Sequence, residues 1–524
     1  MNKLLSFISI AVLGAGIVAC SPGTPDDKGT FTPTGSAAEL SNQEFNNLTP
    51  TQQYQVANKL MATFFKGVPA DEFFVPASIT SDPNDLVVTN AGVDFIGEVK
   101  AQLSLPLKNK DETYTLIVGS PATETEPAIS GKYNFGGGRE EIEIPLAYLY
   151  ELPLSDEFFA RWMAYKLANT ILFSPAEEID SAFVDDVGTV IEELSSAILA
   201  NAPIRSIIFN HEKSQTNWRR FRSPEDNTRE MIEIYLGLFD RDADVPKASI
   251  ACRNWSLTDQ DAGYILKHPR ALDNDDPQLV FDYAYVTTCE DFFDAVANHP
   301  LVIPRMTTVL VDLMLEVNTD PVVRSTLVTE IVNSRPSTFK DIFTRIIFSK
   351  AYLLGSARPK WAEEVMFNTA GRLHWNPYSN FFQDINRQIT RGEPGNIRTS
   401  FALMYQPALS LKLGRFPVVP LDALGGAYLH RGVRDGVMLS GWSADLTQNR
   451  GSMAIEDFIS YLFLSVVARQ PTQDELDTLT QVINSASSSG GGSLNIANRL
   501  NDKAKVVLDY LSRLPETYYF KAIN

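Results

Sequence analysis

Ser337–Tyr352 reads STFKDIFTRIIFSKAY. Phe339, Ile342, Phe343, Ile346 and Ile347 recur at i, i+3, i+4, i+7 and i+8, the spacing of an α-helix with one apolar face. Ser337 places a hydroxyl just ahead of the first turn, where it caps unpaired backbone N–H groups. The same spacing recurs outward in both directions. Val56, Leu60, Met61, Phe64 and Phe65 share one face of residues 50–66. Ser155 precedes Phe158, Phe159, Trp162, Met163, Leu167, Thr170 and Ile171. Helices are expected at Asp180–Leu199, Asn227–Leu238, 360–373, 454–468, 472–484 and 495–512. Pro300–Leu315 is apolar on nearly every turn, and Pro304 marks its start or a kink. The pattern predicts a mainly α protein with orthogonal or bundle-like packing of many helices.

One region departs from it. Between about 84 and 150, Leu86-Val87-Val88, Tyr114–Val118 and Ile142-Glu143-Ile144 are short, β-branched and broken by Gly, Pro and Asn. They read as a small β-containing insert. No fixed-period repeat is present, which argues against a solenoid. The chain has 524 residues, more than one core of roughly 250–300 residues usually holds. The expected division is a leader at 1–19, a tether at 20–49, a helical region with the insert at 50–175, a helical core at 176–375 and a helical region at 376–524.

Hydrophobic residues make up 44% and charged residues 21% of the chain, a globular balance. The formal charge of −19 argues against nucleic acid as a partner, because phosphate binding needs a basic face. Three Cys and five His leave no c-type haem motif and no Cys-rich zinc site.

The first twenty residues carry an address. Lys3 precedes a mostly apolar run from Leu4 to Val18, too short to span a bilayer. Ile17-Val18-Ala19-Cys20 resembles the bacterial lipobox, which implies acylation, palmitate included, at Cys20. Ser21 in the next position suggests the outer membrane. Residues 21–49, rich in Ser, Thr, Pro, Gly, Asn and Asp, read as a flexible tether. Export also bears on Cys252 and Cys289. In an oxidising compartment they can pair, closing a loop that stabilises by about 3–4 kcal/mol. Two free buried thiols are the alternative.

Asp240, Asp242 and Asp244 open like a calcium loop, with Asp273, Asp275 and Asp276 further on. Val245 stands where an EF-hand has Gly, and Ala251 where it has a bidentate Glu. A calcium ion is therefore one reading and a solvated acidic loop the other. Gly136-Gly137-Gly138-Arg139 lacks the Lys-Ser/Thr ending of a phosphate loop and reads as a turn. His211, His268, His299, His374 and His430 form no H-x-x-x-H pair, and no G-x-S-x-G elbow occurs. Arg229, Glu230 and Glu233 lie among Met231, Ile232, Ile234 and Tyr235. At least one of these charges is expected to be half buried, as a structural ion pair or as a catalytic carboxylate.

Residues 225–238, EDNTREMIEIYLGL, resemble the N-E-N-x-A-R-E-L-x-E-L-F helix of a bacterial exported family catalogued as domain of unknown function 1800. Ala251–Leu257 resembles its A-L-T-G-W segment, His299-Pro300 with the following helix keeps its order, and Ser337–Tyr352 is similar to its last motif. The likeness covers roughly 185–375. Asp226, Thr228 and Asn254 depart from the pattern. It implies a helical exported protein, in a family that often accompanies sulfatase-like secreted proteins, with Arg229, Glu230, Trp255 and His299 as a shared polar cluster. Tyr461–Leu476 is similar to a segment of planctomycete-type secreted cytochrome-associated families, without a haem motif.

Two functions follow as expectations. One is an outer-membrane lipoprotein that binds or assembles at the cell envelope, with an envelope protein or glycan as partner and Arg229 and Trp255 in contact with it. The other is an envelope hydrolase acting on polysaccharide or sulfated substrates through Glu230, Glu233 and His299.

Overall fold

The computed structural model describes residues 38–107, 149, 152–174, 184–258, 264–269, 274–315, 319–358, 360–373, 453–486, 500–511 and 514–523. The architecture is mainly helical, as the apolar spacing predicts, with two small antiparallel ribbons.

The chain enters through helix α1 (Asn42–Asn46), closed by a capping box between Ser41 and Glu44. α2 (Pro50–Thr63) starts with a second box, Thr49 with Gln52, and has Pro at its first position, where no N–H is needed. The short α3 (Ala70–Phe73) and α4 (Phe95–Gln102) follow. α5 (Asp156–Ala168) starts at Ser155, whose hydroxyl accepts the Phe158 N–H as expected. It packs along α6 (Val184–Leu199).

The middle of the chain runs through α7 (Ile204–Glu212), α8 (Gln215–Arg220), α9 (Pro224–Leu236) and α10 (Val245–Ala251). Gly237 ends α9 in the left-handed conformation that suits Gly. Two ribbons follow. In the first, β1 (Ser256–Leu257) pairs with β2 (Leu266–Lys267); in the second, β3 (Gln278–Val280) pairs with β4 (Ala284–Val286). α11 (Cys289–Ala297), α12 (Val302–Leu315), α13 (Pro321–Asn333) and α14 (Phe339–Ile347) complete this half. Pro304 falls in the first turn of α12 and so marks a start.

All five apolar positions of the Ser337–Tyr352 stretch are buried. Thr338 is the cap, in a box with Asp341, while the Ser337 N–H and hydroxyl also donate to the Asp341 carboxylate. A single π-helical turn, Ala351–Gly355, leads to α15 (Ala362–Arg372). The C-terminal part holds α16 (Ile455–Val467), α17 (Gln473–Ala486), α18 (Leu500–Leu511) and α19 (Pro515–Tyr518). α16 is buried along almost its whole length and packs on α15, α17, α18 and α19.

Cys252 and Cys289 form a disulfide, with Cα atoms 4.3 Å apart across 37 residues. It staples the end of α10 to the start of α11. Among the described residues no helix is long and apolar enough to cross a membrane.

One expectation changes. Residues 38–49, assigned to the tether, are packed. Leu40 and Phe45 are buried, Glu39 bridges Ser349, and Lys350 pairs with Glu44. The capping box and these two apolar anchors outweigh the polar composition. Among the described residues of the β-leaning insert, Val88 forms a bridge with Phe74 and α4 is helical, and the two ribbons lie at 256–286. The β3–β4 turn places Phe281 and Asp282 at φ 57° and 66°, a conformation usually supplied by Asn-Gly. The Phe281 ring, packed on Phe292 and His299, holds it there. Tyr114–Val118, Ile142–Ile144, the Gly136–Gly138 run, Asp273, His374, His430, the leader and Cys20 lie outside the described residues.

Candidate functional site

The residues singled out by motif receive separate surroundings. Arg229 projects from α9 with its side chain 37% exposed and pairs with Asp242 at 2.9 Å and Glu225 at 3.5 Å. Glu230 and Glu233 are half buried on the same helix. Trp255 is core. It stacks on Trp218 at 5.3 Å and His268 at 4.5 Å, and meets the edge of Phe293. That burial removes it from the role of an exposed ligand contact. His299 sits past the end of α11, where its Nδ1 accepts the Leu301 N–H and its ring packs on Phe281 and Tyr283. Burial first, then Arg241 and Arg205, hold it below its ordinary pKa. The acidic loop finds cations: Asp242 takes Arg229, and Asp244 takes Lys247 at 3.5 Å and Arg241 at 3.7 Å. Among the described residues no three His, Cys, Asp or Glu side chains are grouped to hold a metal.

A different cluster forms where α2, the π turn, α15, the end of α16 and the C-terminal segment meet. It is assembled by close backbone approach. A Cβ on Gly67 would lie 2.4 Å from the Asn368 carbonyl and 2.6 Å from the Arg372 nitrogen, and one on Gly371 2.7 Å from the Gly67 nitrogen. Only glycine fits at either position. Asn368 ties the two strands of chain together by donating to the Lys66 carbonyl at 2.7 Å. The C-terminal segment is clipped on from the other side: the Phe520 N–H donates to the Arg358 carbonyl at 2.9 Å and the Ile523 N–H to the Leu354 carbonyl at 2.8 Å.

At the centre Arg358 grips Glu364 with both Nη atoms, at 2.8 and 2.7 Å, and donates to the Tyr352 hydroxyl at 2.8 Å. Both side chains are buried. Glu364 also accepts the Trp361 N–H at 2.9 Å at the start of α15. Burial opposes the charge on each, yet the pairing wins. It raises Arg358 and lowers Glu364 from their ordinary values.

Beside this pair opens a cleft of about 110 Å³ whose wall includes Lys59, Lys360, Arg372, Arg469, Glu516 and Phe520. Lys59 comes from the buried face of α2 and donates to the Ser356 carbonyl at 2.6 Å. Lys360 donates to the carbonyls of Glu516 at 2.8 Å and Thr517 at 3.2 Å. Arg372, at the end of α15, donates to the Val466 carbonyl at 2.8 Å, while its buried Nε meets no acceptor among the described residues. The Phe520 ring lies 5.7 Å from Lys59 Nζ and 5.1 Å from Lys360 Nζ, within cation–π reach. At the rim Glu475 holds Arg469 at 2.7 and 2.8 Å, and Glu516 bridges Arg469 and Lys521.

Burial, reinforced by Arg358, pushes the Lys59 amine well below the usual lysine range; burial and Arg372 do the same to Lys360. Burial lowers Arg372 to about 10, still charged at neutral pH. Among the described residues none of these three basic groups is in an ion pair with a carboxylate. A chain of net charge −19 thus gathers buried basic groups around a cleft, with no paired counter-charge among the described residues. Such a site attracts an anion.

Motif reading passed over these residues because they belong to segments about 300 positions apart. One signal was present: Lys59 interrupts the apolar stripe of Val56 and Leu60 on α2. Comparison with protein-family models, with curated proteins and with solved structures gives no match.

Proposed function

We propose that this chain is a binding component of the bacterial cell envelope, tethered to the outer membrane by lipid on Cys20, and that its cleft holds an acidic ligand. One observation carries the reading: Lys59, Lys360 and Arg372 line a cleft without a carboxylate paired to any of them among the described residues. The lipobox-like Ile17–Cys20 supports the location. The burial of Trp255 and His299 in core contacts favours this cleft over the Glu230–His299 region as the working site.

The test is calorimetric titration of the acylated, detergent-extracted protein with sulfate, phosphate and a uronic acid, against chloride at matched ionic strength. Saturable binding of at least one oxyanion is expected. Arg372→Leu should weaken it about tenfold or more, the loss of one charge-assisted contact of roughly 1.5–3 kcal/mol. Absence of binding by all three, from protein with native circular dichroism and an intact disulfide, would sink the reading.

A further inference from the structure

The cleft's chemistry can be narrowed. A lysine amine has two N–H donors when neutral and three when protonated. Lys59 uses one, on Ser356, and Lys360 uses two, on Glu516 and Thr517. Arg372 keeps its Nε unengaged. Once the lysines are protonated, donors are left over on both, and among the described residues the site is short of acceptors for them. The charged neighbours do not make up the shortage. Lys59 faces Arg358, Glu364 and the Tyr352 ring; Lys360 faces Arg372, Arg358, Glu364 and Glu516; Arg372 faces Tyr54. Of the two acids, Glu364 is bound by Arg358, and Glu516 carries Arg469 and Lys521.

An amine so buried, with cations nearby and no acid paired to it among the described residues, is driven toward its neutral form. An anion arriving in the cleft supplies the missing charge and reverses that balance. The space suits a headgroup: about 110 Å³, where one water needs roughly 10–15 Å³.

Resting on the binding reading above, we infer that the cleft is a proton-coupled oxyanion site, in which a compact sulfate-, phosphate- or carboxylate-type group binds between Lys59, Lys360 and Arg372 and the two lysines take up protons from solvent as it enters. Arg372 is the permanent charge that draws the group in, and the lysines close on it only once protonated. Affinity then rises as pH falls, by about tenfold per pH unit for each proton taken up.

Sulfate is the probe, because it does not titrate near neutrality. Titration at pH 8 in two buffers of different ionisation enthalpy gives the protons exchanged per sulfate bound. Between one and two taken up is the expected result, with a fall in uptake for Lys59→Met and for Lys360→Met. Lys360→Arg keeps a charge that does not titrate, so it should bind sulfate while showing the same loss of uptake. A sulfated monosaccharide should show the same uptake as free sulfate if the oxyanion is the recognised group. Sulfate binding with no proton exchange, or uptake unchanged in Lys360→Arg, would overturn the coupling and leave the binding reading intact. No binding by sulfate, phosphate or uronic acid overturns both.

Discussion

The half of the molecule built by α7–α14 and the junction of α2, α15, α16 and the C-terminal segment distribute charge differently. In the first, ion pairs such as Arg229–Asp242 and Arg241–Asp282 stay at the surface. Two titratable groups of its core, His211 and Glu212, are pushed toward neutrality, while a third, Arg219, keeps a buried partner in Asp186 of α6 at 2.7 Å. Burial takes the histidine down to about 3 and raises the glutamate well above its usual range. The junction instead keeps a buried Arg358–Glu364 pair charged and places three more basic groups beside it. The disulfide half buries few charges, and those it does bury are neutralised or, as with Arg219 and Asp186, matched by one partner. The junction matches Arg358 with the nearby Glu364, and it gathers Lys59, Lys360 and Arg372 from segments far apart in sequence.

Removing one member of the buried pair should give the largest effect. Glu364→Leu strands Arg358 and is expected to cost about 3–5 kcal/mol in urea unfolding. Adding Arg358→Met should recover most of that loss. If the double variant is as unstable as the single, the charge contrast is not what separates the two regions.

The staple comes next. Cys252→Ser with Cys289→Ser should cost about 3–4 kcal/mol by the loop-closure argument. Hydrogen exchange should show the loss concentrated around α10 and α11, with little change at α15 and α16. Uniform loss would show that the two regions unfold as one.

His211 sharpens the contrast through pH. Its folded-state pKa, about 3, lies below the unfolded value of 6.5, so the unfolded chain binds more protons. Stability should therefore be lost as pH falls below 6.5, by about 3 kcal/mol at pH 4. His211→Phe should flatten that part of the pH–stability curve. A slope unchanged by the substitution would place the sensitivity elsewhere. The smallest effect belongs to the surface: Arg229→Ala should change stability by less than about 1 kcal/mol, measured by the same unfolding curves. A loss comparable to that of Glu364→Leu would mean that Arg229 belongs to a buried network after all.

Most helices were legible, and for a local reason. Phe339 to Ile347, Phe158 to Leu167 and the run after Pro300 each place an apolar stripe within two to four turns, and Ser155 supplies its own cap. The site was legible only in fragments. Trp255 and His299 were noticed for their chemistry but are held by ring stacking and a helix terminus. Lys59, Lys360 and Arg372 were not noticed, because a lysine on an apolar face or after a proline carries no mark of what it will meet. The β3–β4 turn was missed because Phe281 holds its unusual conformation through packing on Phe292 and His299.

The sequence by itself determined the mainly helical class, most of the helix starts and stops, and the two cysteines available for a staple. These rest on periodicity and capping, which act over a few residues. Tertiary structure alone decided that Cys252 meets Cys289, that residues 38–49 pack against the end of α14, and that Gly67 lies against Gly371 so that α2 and α15 bring their basic groups to one cleft. Burial and charge compensation depend on which distant segments meet, and no short stretch of sequence carries that information.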